Sequence, residues 1–273
     1  MLTELTRPSH AVILQSDLLM RAGFVHAFST RLGGVSAAPF DALNLQSTQA
    51  NARIAAPHAR DNDAAIRENH ARFALAAGLA RDATVADVSQ VHGCAVITAS
   101  EALRERTAAD AITSACGGHA VLIRIADCVP ILIACSKTGS IAAVHAGWRG
   151  VVAGVVPAAF AELTKLGVDP RDAIAVIGPC IRAPHFEIGS EVADALASAD
   201  LASSIIAPGV HGPKHHADLV HAVMLQLTRV GVDAHNIDAD PPCTYADARR
   251  FYSFRRDGSA SGRLAALIAP RAL

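Results

Sequence analysis

The sequence predicts an α/β fold, with α+β as the alternative: one compact domain over residues 1–273 in which mixed β-sheets are flanked by helices. Three observations support this. Short runs rich in Val and Ile are punctuated by Gly, Pro and Ser, as strands are. Between them, longer stretches place apolar residues at helical spacing. No internal repeat, low-complexity block or long polar linker interrupts the chain, so nothing marks a second domain.

Taken in order, residues 24–31 (FVHAFSTR) alternate as a strand and run into the turn signal of Gly33 and Gly34. Asp61 to Leu79 carries Ile66, Phe73, Leu75 and Leu79 among Ala, Arg and Glu, which predicts an amphipathic helix ending near Gly78. The runs ATVADVSQVHG, CAVITAS, HAVLIRIADCVPILIAC and SIAAVHAGWRG are predicted strands, several buried on both faces. Gly147 to Leu166 reads as one helix, with Val152, Val155, Phe160 and Leu163 on its apolar positions and Gly167 closing it. The strand AIAVIGP follows, then helices near 189–200 and 216–231, and a turn-rich closing segment with a final apolar strand.

Composition narrows the function classes. Apolar residues make up 51% of the chain and charged residues 18%, which suits a packed core and excludes a disordered chain. A formal net charge of −1 provides no basic face for a phosphate backbone, so no nucleic-acid partner is expected. The first residues, MLTELTRPSHAVILQSD, carry no secretory signal, which predicts a cytoplasmic protein. The most apolar stretch, Ala120 to Cys135, is interrupted by Arg124 and Asp127 and falls short of the about 20 residues a bilayer requires. It reads as paired buried strands, and no membrane partner is expected. Six cysteines without a CxxC pair suit a reducing compartment.

Three of the apolar runs deliver one potential metal ligand at or just beyond their ends: VSQVHG with His92, RIADCVP with Cys128 and AAVHAGWRG with His145. Two imidazoles and a thiolate are a set that zinc favours, and three protein ligands leave the fourth tetrahedral position for water or substrate. A Gly after His92, and another two residues after His145, leave room for a ligand. With 13 histidines in the chain, any one alone is more simply a hydrogen-bonded core or surface residue, and no local motif such as HExxH is present.

The strings FSTRLGGVS, LNLQ, QVHG, ADCVPILI, AVHAGWRG, IGPCI, CTY and FYSFRRDGSASGR occur in this order. Together they resemble the family once called multicopper polyphenol oxidase or laccase-domain proteins, from about Gly23 to Ile268. Its members are now described as purine nucleoside phosphorylases that also deaminate adenosine, and some as peptidoglycan editing factors. The resemblance implies His92, Cys128 and His145 as the metal ligands, zinc as the metal with copper as an alternative, and a fold related to Cys-His deamidases. It also implies phosphorolysis of adenosine, inosine or methylthioadenosine, with inorganic phosphate as co-substrate. One departure is His185-Phe186, where many members have a Cys and a Tyr; it reads as pocket or packing variation. Multicopper oxidation needs an electron-entry copper and a many-His cluster, which the sequence does not assemble.

Beyond the ligands, Arg31 and Arg149 each lie near Gly, where a guanidinium can fork onto phosphate or ribose oxygens. Asn44 is a candidate for orienting a nucleoside hydroxyl, against the alternative of an Asx turn. Asp127 reads as structural or as the carboxylate that holds a ligand imidazole. Arg255, Arg256 and Arg263 read as an ion-paired turn, and the cysteines other than Cys128 as structural. Two rival readings stay open. In one, Cys128 is a thiolate nucleophile with His145 or His92 as base, giving a metal-free hydrolase such as a peptidoglycan-precursor amidase. In the other, a fourth ligand such as His119 or Cys94 closes a non-catalytic metal site.

Overall fold

Strands with apolar side chains on both faces need a layer above and a layer below, and this requirement sets the architecture. In the segment Val129–Cys135, the residues Val129, Ile131, Ile133 and Cys135 pack to one side and Leu132 and Ala134 to the other, because successive side chains of a strand point to opposite faces. The computed structural model, which describes residues 1–54, 60–105 and 107–271, supplies those layers.

Its strands are β1 (Leu2–Thr6), β2 (Val12–Ser16), β3 (His26–Ser29), β4 (Val85–Asp87), β5 (Val96–Thr98), β6 (Ala111–Ser114), β7 (Ala120–Ile125), β8 (Val129–Cys135), β9 (Ile141–Ala146), β10 (Ala173–Ile177), β11 (Glu187–Ile188), β12 (Ile205–Ile206), β13 (His215–Ala217), β14 (Ile237–Asp238) and β15 (Leu264–Ile268). The helices are α1 (Asp17–Arg21), α2 (Thr48–Ala52), α3 (Asp63–Ala77), α4 (Ala99–Arg104), α5 (Trp148–Val152), α6 (Val155–Lys165), α7 (Ser190–Ser198), α8 (Leu219–Arg229) and α9 (Phe254–Asp257). One sheet runs β1-β2-β3-β15-β7-β4 and a second β14-β10-β8-β9-β6-β5; β11, β13 and β12 form a small third sheet. Both large sheets are mixed: β4 pairs in parallel with β7, β5 with β6 and β14 with β10, and the other pairings are antiparallel.

The two large sheets face each other. Val121, Ile123 and Ile125 of β7 and Ala266 of β15 meet Leu132, Ala134, Ala143 and Val176 of the second sheet in one buried cluster. The outer face of the first sheet is covered by Phe73, Ala76 and Ala77 of α3, and that of the second by α6 and α8 through Phe160, Leu163, Val223 and Leu227. The result is helix, sheet, sheet, helix. Each fully buried Ile or Leu in these layers contributes about 1.5–3 kcal/mol relative to exposure.

Two expectations are corrected. Ala120 to Cys135 is a pair of buried strands, but β7 and β8 do not pair; they belong to different sheets, and residues 126–128 carry the chain from one to the other. Gly147 to Leu166 is two helices, because Gly154 adopts a left-handed φ of 80° that ends α5 and re-aims α6. The helix expected over 61–79 is α3, capped by the Asn62 side chain at its start and by Gly78 at its end. Among the described residues no helix is long and apolar enough to cross a membrane.

Candidate metal centre

His145 is the penultimate residue of β9 and lies opposite Pro130 of β8. Cys128 closes the short link between the sheets, immediately before β8. His92 is not on a strand: β4 ends at Asp87, and His92 sits in the following loop at a φ of 61°. The three side chains nonetheless converge, with their ligating atoms all within 4.8 Å of one another. The two imidazoles meet edge to face with centroids 4.9 Å apart. His145 is buried, Cys128 half-buried and His92 exposed, so the cluster opens to one side.

What holds His92 in place is Asp110, which the sequence reading missed. Its fully buried carboxylate accepts the backbone N–H groups of Val91 (3.2 Å), His92 (2.9 Å) and Gly93 (2.6 Å), and it pairs with His145 Nδ1 at 2.8 Å. A carboxylate can only accept, so His145 carries a proton on Nδ1, and Nε2 is the nitrogen that would give up its proton to a metal. One side chain thus orients a ligand ring and anchors the loop that bears another. The expected alternative, Asp127, is committed elsewhere. At a φ of 91° it accepts from Thr244 Oγ1 (2.6 Å), Ser253 Oγ (3.0 Å) and the Arg255 backbone (2.6 Å), pinning the C-terminal segment to the residue next to Cys128.

The electrostatics favour a thiolate. Burial alone would raise the Cys128 thiol, but the neighbouring His145 and His92 outweigh it and bring it down to about 6. Burial likewise opposes a charge on His145, and the Cys128 thiolate and Asp110 overcome it, raising the imidazole to about 9. Asp110 is held below the usual carboxylate range, since its hydrogen bonds outweigh its burial.

The donor set fits a metal of zinc type: two imidazole nitrogens and one thiolate, close enough to share one ion. Gly147 shows the same crowding, because a Cβ there would stand 2.9 Å from the His92 ring and 3.0 Å from Cys128 Sγ. Only glycine lets all three groups meet. Among the described residues the cluster has no fourth His, Cys, Asp or Glu, so neither Cys94 nor His119 closes it. A metal held by these three residues would be open to a further ligand on the side where His92 is exposed.

That side is a cleft of about 720 Å³. Arg53, Arg124, Arg149, Arg255 and Arg263 line it, against the single acid Asp127, so a chain of near-zero net charge keeps a cationic cleft. Arg149 lies over the Trp148 ring at 4.4 Å, and Arg263 hydrogen-bonds the carbonyls of Ser261 and Gly262. Arg255 and Arg263 therefore belong to the cleft, and only Arg256 makes the expected ion pair, with Asp257 at 2.8 Å. Arg31 and Asn44 do not line the cleft. The Arg31 guanidinium binds the carbonyls of Asp41 and Ala248 and covers Tyr252, while Asn44 is buried and bonds Asp61 and the Arg263 backbone. At the family departure, Phe186 lines the cleft and His185 stacks on Tyr245. Cys135 and Cys180 are buried, and burial pushes the Cys180 thiol up, in keeping with a structural role.

A sandwich with a His-Cys-His cluster at the crossover between its sheets, opening on an arginine-lined cleft, defines an α/β protein with a candidate metal site. Residues 25–271 match the family described as multi-copper polyphenol oxidoreductase laccase, and the chain belongs to that family. Among its relatives, the Pseudomonas aeruginosa protein named purine nucleoside phosphorylase PA4543 is 38% identical over 88% of this chain and 90% of its own. The Escherichia coli K12 protein named purine nucleoside phosphorylase YfiH is 35% identical over 90% and 93%. The Neisseria meningitidis protein NMB0706 superposes with a TM-score of 0.76 at 32% identity, covering 99% of this chain and 98% of that one. Geobacillus stearothermophilus YlmD gives 0.80 at 26% identity over 95% and 96%.

Proposed function

We propose that this chain is a zinc-dependent purine nucleoside phosphorylase that also deaminates adenosine, working at His92, Cys128 and His145. The observation that carries this reading is a His-Cys-His cluster, with no fourth candidate ligand among the described residues, opening on a cationic cleft in a chain whose relatives are named for nucleoside phosphorolysis. In phosphorolysis a phosphate oxygen bonds to C1′ of the ribose, the bond from C1′ to the purine nitrogen breaks, and the phosphate proton passes to the departing base. Adenosine, inosine and S-methyl-5′-thioadenosine are the proposed substrates. Bound zinc would supply Lewis acidity and an activated water for deamination, and copper is the alternative metal.

The chain's own residues do the rest. His92, Cys128 and His145 hold the metal, and Asp110 fixes the His145 tautomer. Arg149, exposed in the cleft, neutralises the phosphate; Arg31, engaged outside the cleft, does not compete for that role. Six free thiols suit a cytoplasmic setting.

A second reading is favoured by one specific feature. Cys128, His145 and Asp110 form a thiolate, base and orienting carboxylate in series, the constellation of a metal-free cysteine hydrolase. Two measurements on protein purified without added metal separate the readings. Zinc near one equivalent, with adenine, inosine and ribose 1-phosphate formed from adenosine and phosphate, is expected for the first. A metal-free protein that leaves adenosine intact would overturn it and favour the thiolate.

A further inference from the structure

Seven of the eleven Phe, Trp and Tyr residues are buried; Trp148, Phe186, Tyr245 and Phe254 are not. Every Phe and Trp that is not buried lines the cleft: Trp148, Phe186 and Phe254. Phe254 alone is exposed, at 52%. Large exposed apolar rings beside a concave polar site mark a place where something else covers them.

The three rings are not equivalent. Trp148 carries the Arg149 guanidinium 4.4 Å from its centroid, and Phe186 carries Arg255 at 5.2 Å. Phe254 is approached at 5.8 Å by Arg263, which lines the same cleft as Cys128. Phe254 thus stays open to the same cleft that His92, Cys128 and His145 line.

Its backbone is also unusually well held for an exposed residue. Phe254 opens the short helix α9, and both of its neighbours are tied to one carboxylate: Ser253 Oγ and the Arg255 N–H each donate to Asp127 Oδ2. Asp127 precedes the ligand Cys128, so the pedestal of the ring and the thiol share one stretch of chain. An apolar ring exposed on a rigid support and fixed relative to the metal ligands is built to receive a flat partner.

We infer that Phe254 is the stacking platform for the heterocyclic base of the substrate, setting how the purine lies over the metal centre. This rests on the proposed nucleoside reading and names the base-binding wall of that same site. Stacking binds the base in ground state and transition state alike, so it acts on KM and on equilibrium binding more than on kcat.

The test uses the metal-loaded full chain and three variants: Phe254→Ala, Phe254→Tyr and Phe254→Trp. Adenine and adenosine binding are measured by calorimetry, alongside kcat and KM for phosphorolysis, zinc content and melting temperature. Phe254→Ala is expected to weaken adenine binding and raise KM by about tenfold or more, since base–aromatic stacking is of that strength. Zinc and kcat should change little, and Tyr and Trp should restore affinity. Adenine and adenosine affinities that Phe254→Ala leaves within twofold of wild type, or no detectable binding of adenine to the wild type, would overturn the inference. If adenine binding depends on Phe254 while the wild type turns over no nucleoside, the platform stands and the phosphorylase reading falls. If nucleosides turn over and the alanine variant keeps the wild-type KM and affinity, the platform falls alone.

Discussion

At the scale of single residues, Arg149 separates the two proposed reactions. Phosphorolysis must hold a multiply charged anion beside the sugar, whereas deamination needs only water and the base. An arginine contact to phosphate is charge-assisted and bidentate, and its loss should lower kcat/KM for phosphorolysis about tenfold to a hundredfold. Deamination by Arg149→Ala should fall much less. Zinc measured in the same preparation excludes a damaged centre; parallel losses of both activities with zinc retained would remove Arg149 as the phosphate clamp. The members of the His-Cys-His cluster were legible in the sequence because QVHG, ADC and VHAGWRG together resemble a known family; the apolar flanks and glycines alone did not single them out among 13 histidines. Arg31 and Asn44 stood in motifs just as distinct, but their side chains serve the loops around them. A motif reports that a residue matters, not whether it faces the ligand or the chain.

At the scale of elements, the site depends on a loop and a crossover rather than on the ends of three strands. Strand periodicity predicted buried apolar runs, and they exist; it could not say that β7 and β8 lie in different sheets, because a run buried on both faces looks the same whichever neighbour covers it. Asp110 escaped notice for a related reason: a lone Asp before AITS looks like a turn residue until the loop from 91 to 93 folds onto it. Its replacement is informative. In Asp110→Asn an amide NH₂ must face N–H donors whichever way it turns, since the carboxylate accepts from Val91, His92, Gly93 and His145 alike. The buried mismatch should cost about 1–3 kcal/mol of stability. Zinc affinity, read by chelator competition, should drop about ten- to a hundredfold because both His92 and His145 lose their anchor. A folded Asn variant that binds zinc as tightly as wild type would show that the metal organises the loop unaided.

At the scale of the whole molecule, two histidines that fold uncharged tie chain segments around the first sheet, one at the end of β2 and one between α3 and the loop at Gln46. His26 on β3 accepts the Ser16 N–H at 2.8 Å through Nε2 and donates from Nδ1 to the Phe24 carbonyl at 3.0 Å. Burial lowers its pKa, and a proton on Nε2 would break the bond to Ser16. His70 on α3 reaches the Gln46 carbonyl at 3.1 Å; burial, with Arg124 nearby, brings it down to about 4. Both folded values lie below the about 6.5 of an unfolded histidine, so the unfolded chain binds the extra protons first. The stability these residues contribute is therefore complete above pH about 6.5 and is lost as pH falls below it, for His70 down to about 4. For His70 the span corresponds to about 2–3 kcal/mol, or roughly 5–10 °C in melting temperature for a chain of this size. His70→Gln keeps a donor for Gln46 but cannot titrate, so its melting temperature should fall less than that of wild type between pH 6.5 and 4.5. The comparison belongs on chelator-treated protein, where the Cys128 and His145 pair titrates equally in both chains and cancels. Identical acid slopes for the two proteins would mean that protonation of His70 does not loosen α3 from the loop at Gln46, and the same comparison would pass to His26.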